Sequence, residues 1–170
     1  MPNNQIYDNI YVDIIYVDVR KSWNMNDIEL KILIGMHRNV NSIDKSTSRI
    51  ASEHGLTFSQ FAVLEALYSK GDMTVGMVRK HILSSMGTIP LIINNLVKMN
   101  YVQRRSDEND RRICIISLTA EGRELIKKLA PQNEKMIKDY MSILTNEEKN
   151  NLFYLMKKLG GKINEEKSAK

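Results

Sequence analysis

The stretch from Tyr101 to Gly122, YVQRRSDENDRRICIISLTAEG, restricts the fold of this chain more than any other. Tyr101-Val102 and Ile113 to Leu118 carry β-branched and aromatic residues that suit a pleated, half-buried surface. Between them, Ser106-Asp107-Glu108-Asn109-Asp110 is too polar to bury cheaply and must form a solvated tip. Four arginines, Arg104, Arg105, Arg111 and Arg112, bracket that tip. The segment therefore reads as two short strands around a charged turn. Thr119 follows at once as a helix cap.

Elsewhere the pattern is helical. Ile28, Ile32, Met36, Val40, Ile43 and Ile50 recur at three- and four-residue steps, which predicts one long helix. Thr57-x-x-Gln60 is a capping-box pattern opening a second helix, with Phe58, Phe61, Leu64 and Leu67 as its apolar stripe and Gly71 as its end. A short third helix runs from Thr74 to His81-Ile82, with Val75, Val78 and Ile82 inward. A fourth covers Ser85 to Met99, burying Ile89, Ile92, Ile93, Leu96 and Val97. Thr119 caps a fifth helix bearing Leu125, Leu129, Met136, Ile137, Tyr140 and Leu144, which Pro131 should bend. Thr145-x-x-Glu148 opens a last helix bearing Leu152, Leu155, Met156 and Leu159, expected to close at Gly160-Gly161. The expected class is mainly α with a small β-hairpin wing (α+β).

Residues 1 to 24 read differently. NQIYDNIYVDIIYVDV alternates loosely between apolar and acidic or amide residues, a strand-like period with no evident partner. Two readings stand side by side. Met25 is the natural start, with Arg20-Lys21-Ser22 a translated purine-rich ribosome-binding site, or the segment is a genuine mobile extension. The expected organisation is a non-native or disordered extension at 1–24 and a helical dimerisation region at 25–56 and 120–163. A winged helix-turn-helix lobe fills 57–119, and a disordered tail spans 164–170.

Composition excludes several classes. No run of ~18 apolar residues exists, so no membrane partner is expected. The N-terminus lacks a basic region followed by an apolar core and cleavage site. One cysteine, Cys114, rules out an intrachain disulfide framework and fits a reducing, cytoplasmic setting. His37, His54 and His81 have no metal-ligand spacing, and no glycine-rich phosphate loop or nucleophile motif is present, so neither enzyme, metal nor cofactor is expected. Cys114 shares a strand face with Ile116 and Leu118 and reads as a small core residue rather than a redox sensor.

Two helices joined tightly through Leu83-Ser84, then a hairpin, form a winged helix-turn-helix, whose second helix enters the major groove of DNA. Charge agrees. From Met73 to Thr119, seven Lys or Arg face three acids, so +4 of the total +5 is concentrated there. Phosphate neutralisation by such a cluster supplies most of the affinity for a duplex.

The segments LTFSQFAVLEAL, MTVGMVRKHILSSMGTIPLIINNLVKMNYVQRR and DENDRRICIISLTAEGRELI resemble the MarR family of bacterial transcriptional regulators over about residues 26 to 160. The wing motif, with Asp110-Arg111-Arg112 and Leu118-Thr119-x-x-Gly122, is its most specific part. The resemblance implies a dimeric winged-helix repressor whose first, fifth and sixth helices form the dimer interface. It also implies release of double-stranded DNA on binding a small aromatic or lipophilic effector. By the same resemblance, Arg112 reaches into the minor groove while Asp110 holds it by a bidentate contact. Ser85, Thr88 and Pro90 match the base-facing first turns of the recognition helix. Asn94, with Asn95, lies further along in a phosphate or water-mediated role. Arg104, Arg105 and Arg111 complete the expected DNA contacts. Met36 and His37 are the candidates for effector contact. The SMGTI spelling is similar to relatives that respond to phenols and quinones.

Two positions depart from the family pattern. Pro90 stands where a Ser or Thr is usual, and Leu91 where an Arg or Tyr is usual. Pro90 lacks a backbone donor and crowds the carbonyl of Met86. Either the helix is distorted there, or it starts later with Thr88 as cap and Pro90 in the first turn. The usual Arg or Lys of the recognition helix is missing, which leaves Lys98 at the far end. Pro90 or Leu91 can meet a thymine methyl, so weak guanine reading and a larger wing contribution are expected. The expected function is a sequence-specific homodimeric repressor on a pseudo-palindromic operator. The rival is a winged-helix protein-interaction module with weak or no specific DNA binding.

Overall fold

A computed structural model describes residues 27–82, 89–106, 110 and 112–168 of the chain. The elements run α1 (Ile28–Ser52), α2 (Phe58–Lys70), β1 (Met73–Thr74), α3 (Val75–His81), α4 (Ile89–Lys98), β2 (Val102–Ser106), β3 (Cys114–Leu118), α5 (Ala120–Tyr140), a short 3-10 turn (Met141–Ile143) and α6 (Asn146–Ser168). The chain divides after Ser42 into two units, one holding the first part of α1 and the other everything from Ile43 onward. The expected extension at 1–24 lies outside the described residues.

Within the larger unit, α2 begins as its capping box dictates. Thr57 Oγ1 accepts from the Gln60 amide at 3.2 Å, and Gln60 Oε1 accepts from the Thr57 amide at 2.8 Å. The helix ends at Gly71, whose positive φ of 83° suits a residue without Cβ. The face it buries is Gln60, Phe61, Val63, Leu64 and Leu67. Phe58, expected in the stripe, is exposed. It sits at the first helical position, where the side chain projects past the end of the core. Val97 is likewise exposed, whereas Ile89, Ile92, Ile93 and Leu96 bury the opposite side of α4. These side chains join Met73, Val78, Ile82, Val102, Ile116, Leu118, Ile126 and Leu129 in one core. Full burial of each large member contributes roughly 1.5–3 kcal/mol.

Two strands were legible, and a third was not. Met73 and Thr74 pair antiparallel with Ile116 and Ile115, giving the order β1-β3-β2. Two residues are too few to show a period, so only tertiary pairing reveals this strand. β2 meets β3 in the register Val102 to Leu118, Arg104 to Ile116 and Ser106 to Cys114. Cys114 is exposed, against expectation. Its face alternation is right, but the hairpin projects beyond the core at that level, leaving nothing to cover it.

The turn from α4 into the wing is a hydrogen-bonded stop. Asn100 adopts φ 59°, its amide donates to Val97 O and the Tyr101 amide to Leu96 O, both at 3.0 Å. This is a Schellman arrangement with asparagine in the left-handed position. At the other end of the wing, Thr119 caps α5 by accepting from the Gly122 amide at 3.0 Å. The Thr119 hydroxyl donates to Asn100 O at 2.6 Å, and its amide donates to Tyr101 O at 3.1 Å. Gly122 packs so closely under Tyr101 that a Cβ would collide with the Tyr101 backbone carbonyl.

α5 continues through Pro131 to Tyr140, so Leu144 falls beyond it. Pro131 is exposed, which turns the carbonyl it leaves without a donor toward solvent. The buried face of α5 is Gly122, Ile126, Leu129 and Asn133 rather than the full expected stripe. Met136, Ile137 and Tyr140 are half-buried. Asn133 accepts from Thr47 Oγ1 of α1 at 2.8 Å in a buried contact, and it also bonds the carboxyl of Glu65 on α2. Burial pushes the Glu65 carboxyl up, and the Asn133 bond offsets only part of that. The capping box of α6 forms as expected, with Thr145 and Glu148 exchanging bonds of 2.8 and 3.2 Å. The Thr145 amide and hydroxyl hold the Glu148 carboxyl below its usual range. Yet α6 runs to Ser168, through Gly160-Gly161 and into the expected tail. Glycine keeps its amide donor, and its cost of about 1 kcal/mol per residue weakens a helix without stopping it.

Two outcomes follow from this packing. Gly122→Ala gains a little helix propensity but must displace the Tyr101 carbonyl, so thermal unfolding should show a net loss of roughly 1–3 kcal/mol. Glu65 holds its proton to higher pH in the folded chain than in the unfolded one, so stability falls as pH rises through the window above the ordinary value of 4.5. Glu65→Gln should therefore melt above the parent protein near neutral pH, and that advantage should vanish on acidification to about pH 4.

Candidate nucleic-acid interface

α3, α4 and the β2-β3 wing share one side of the larger unit, and α4 presents its exposed residues there. Ile89, Ile92, Ile93 and Leu96 are buried, so Leu91, Asn94 and Lys98 line the opposite face at three- and four-residue steps. Leu91 is 60% exposed. Pro90 is exposed and lies in the first described turn of α4, where proline is tolerated. Asn95 is half-buried. Ser85, Thr88 and Arg111 lie outside the described residues, as does the Leu83-Ser84 connection.

The wing arginines divide into different roles. Arg112 is 92% exposed at its side chain, and Asp110 Oδ1 accepts from both its backbone amide (3.0 Å) and its Nε (3.2 Å). The resemblance implied a bidentate carboxylate grip. Here one carboxylate oxygen collects two donors of the same residue, the backbone amide and the guanidinium Nε, while the side chain stays largely in water. Arg104 and Arg105 instead turn back toward the body of the protein. Arg104 Nη2 donates to Asn94 Oδ1 at 2.7 Å. Arg105 Nη2 pairs with Asp72 Oδ2 at 3.2 Å, both side chains being nearly half exposed. Successive residues of a strand point to opposite faces, so the two arginines reach different partners. Asp72 was not recognised from the sequence. It lies in a loop thirty-three residues away, and only the pairing of β1 with β3 brings it to the wing.

Positive charge is therefore partly spent on holding the wing in place. Arg112, Lys98 and, on α3, Arg79 and Lys80 are exposed. An array of exposed cations around an apolar-tipped helix can neutralise phosphates while Pro90 and Leu91 approach base edges. On the first part of α1, Met36 is half-buried and His37 exposed. No helix of the described residues is long and apolar enough to cross a membrane. Among the described residues no group of His, Cys, Asp or Glu is arranged to hold a metal ion.

Residues 45–129 match the family described as transcriptional regulator SarA/Rot. The chain is 29% identical over 136 residues to the HTH-type transcriptional regulator MhqR of Bacillus subtilis, covering 80% of this chain and 94% of that one. A MarR variant from E. coli, solved in complex with operator DNA, superposes with a TM-score of 0.65 at 27% identity, covering 78% of this chain and 94% of the other. BpsR of Bordetella bronchiseptica, whose DNA binding is regulated by 6-hydroxynicotinic acid, superposes with a TM-score of 0.68 at 23% identity, covering 81% and 96%.

The Arg105–Asp72 pair sits in partial solvent, where screening limits its value to about 0–1 kcal/mol. A double-mutant cycle of Arg105→Ala and Asp72→Ala, read by chemical unfolding, should return a coupling in that range. A coupling well above it would mean the pair is a structural clamp.

Proposed function

This chain belongs to the SarA/Rot family of transcriptional regulators and is a DNA-binding regulator of the MarR winged-helix type, and we propose that it acts as a homodimeric, ligand-responsive repressor on a pseudo-palindromic operator. The observation that carries this reading is Arg112. Its guanidinium stands in water at the end of a projecting hairpin, steered from below by Asp110. A planar, weakly hydrated, permanently charged group so placed suits the narrow minor groove. The outward face of α4, with Pro90, Leu91, Asn94 and Lys98, then meets the adjacent major groove, together with Ser85 and Thr88. Arg111, outside the described residues, is expected to add a further cation in this reading. Residues 57–119 form the DNA-binding lobe in this reading, and 25–56 with 120–163 the dimerisation region.

Exposed apolar side chains support a second copy of the chain. Ile28, Ile32, Leu33 and Val40 on α1, and Leu152 to Met156 with Leu159 on α6, are uncovered in the single chain. Burying such surface is favourable by about 25 cal/mol per Å². A two-fold dimer places its recognition helices on half-sites separated by whole helical turns. The effector regulation of BpsR, on the same fold, supports control by a small aromatic or lipophilic compound. Met36 and His37 are the candidates to meet it. Such a ligand changes operator affinity only by binding the two states unequally.

The test is a gel shift against the gene's own upstream region over a range of salt. Affinity should fall steeply with salt, as expected for about four to eight phosphate contacts per site. Arg112→Ala should cost roughly 1–3 kcal/mol of binding. A flat salt response with Arg112→Ala unchanged would instead support the protein-interaction module.

A further inference from the structure

We infer that Arg104 is a positioning residue for sequence reading, orienting the amide of Asn94 on the recognition helix, and is not a phosphate contact. This rests on the reading of α4 as the DNA-facing helix and assigns a role within that site. Arginine can only donate, so the atom of Asn94 facing Arg104 Nη2 at 2.7 Å must be the carbonyl oxygen. The Asn94 NH₂ is thereby turned away from the wing, with both its donors outward. Asn94 lies between Leu91 and Lys98 on the face opposite the buried isoleucines, so those donors leave from the middle of the uncovered surface.

The orientation has a chemical consequence. Two-point reading of adenine needs an asparagine that presents both its oxygen and its nitrogen to the base. With its oxygen engaged by the wing, Asn94 presents its NH₂ donors foremost. Such a group suits base-edge acceptors, thymine O4, adenine N7 or guanine O6 and N7, and is unsuited to the exposed amino groups of adenine and cytosine. An unrestrained exposed asparagine samples several rotamers, and a charged hydrogen bond to one of them reduces that freedom before DNA arrives. The same bond ties β2 to α4, so the wing and the recognition helix keep one relative placement.

The experiment selects duplexes from a randomised library with the full chain and with Asn94→Ala, Arg104→Ala, Arg104→Met and the Asn94→Ala/Arg104→Ala double variant. Binding to the selected and to a scrambled duplex is then measured against salt, with melting curves as the check on folding. Arg104→Met keeps the length and packing of the side chain and serves if the alanine variant is destabilised. If Arg104 positions Asn94, the variants of either residue lose discrimination at the same base pairs of each half-site, by about three- to tenfold. The double variant then loses no more than the worse single one. Scrambled-duplex affinity and the salt slope stay close to those of the parent protein. If Arg104 contacts phosphate, its loss weakens all duplexes alike, lowers the salt slope by about one and leaves base preference intact. That result overturns the inference, as does a variant that matches the parent in every measurement. Failure of the parent protein to bind any duplex in dilute salt would be a separate outcome, refuting the DNA-facing reading of α4 itself.

Discussion

One threonine hydroxyl sets the geometry on which the DNA-binding side depends. Thr119 Oγ1 accepts from the Gly122 amide and donates to the Asn100 carbonyl, while its own amide donates to Tyr101 O. Asn100 terminates α4, Tyr101 opens the wing and Gly122 lies in the first turn of α5. Three elements therefore meet at one residue, whose side chain uses both its donor and its acceptor capacity. The absence of a Cβ at Gly122 lets the α5 backbone approach Tyr101 closely enough for this to happen. A shift of α5 is transmitted to the wing and to α4 by direct hydrogen bonds.

Charge on the wing is divided between holding and reaching. Arg105 is paired with Asp72, and Arg104 is engaged with Asn94. Arg112 is 92% exposed, although its guanidinium Nε is itself paired with Asp110. Counting arginines overstates how many can neutralise phosphate. Each partner within the protein lowers the gain from a new partner, because a guanidinium must first give up what it already has. The outward α4 face adds exposed Pro90 and Leu91 at one end and Lys98 at the other.

α6 carries Leu152, Phe153, Tyr154, Leu155 and Met156 in unbroken succession, all exposed. Five consecutive residues pass right round a helix, so no flat surface can cover them all. Under the dimeric reading, this helix must be embraced from more than one side, and the stability of each chain depends on protomer concentration. The Lys157 ammonium, 5.8 Å from the Phe153 ring centroid, is a minor additional contact on the same helix.

Local rules written along the chain determined much of this protein. The capping boxes at Thr57 and Thr145, the caps at Thr74 and Thr119, the stop at Gly71 and the polar turn of the wing each depend on residues within a few positions of one another. The family resemblance rested on the same segments and extended to the wing pair of Asp110 and Arg112. Periodicity was less reliable near element ends, where Phe58, Val97 and Cys114 have the right spacing but project beyond the core. Only the tertiary structure decided that Met73-Thr74 is a strand, that Asp72 engages Arg105 and that Arg104 engages Asn94. It also decided that Thr47, Glu65 and Asn133 join three helices through buried polar contacts. These partners are brought together by chain packing, and no spacing in the sequence encodes a contact whose geometry depends on where three helices cross.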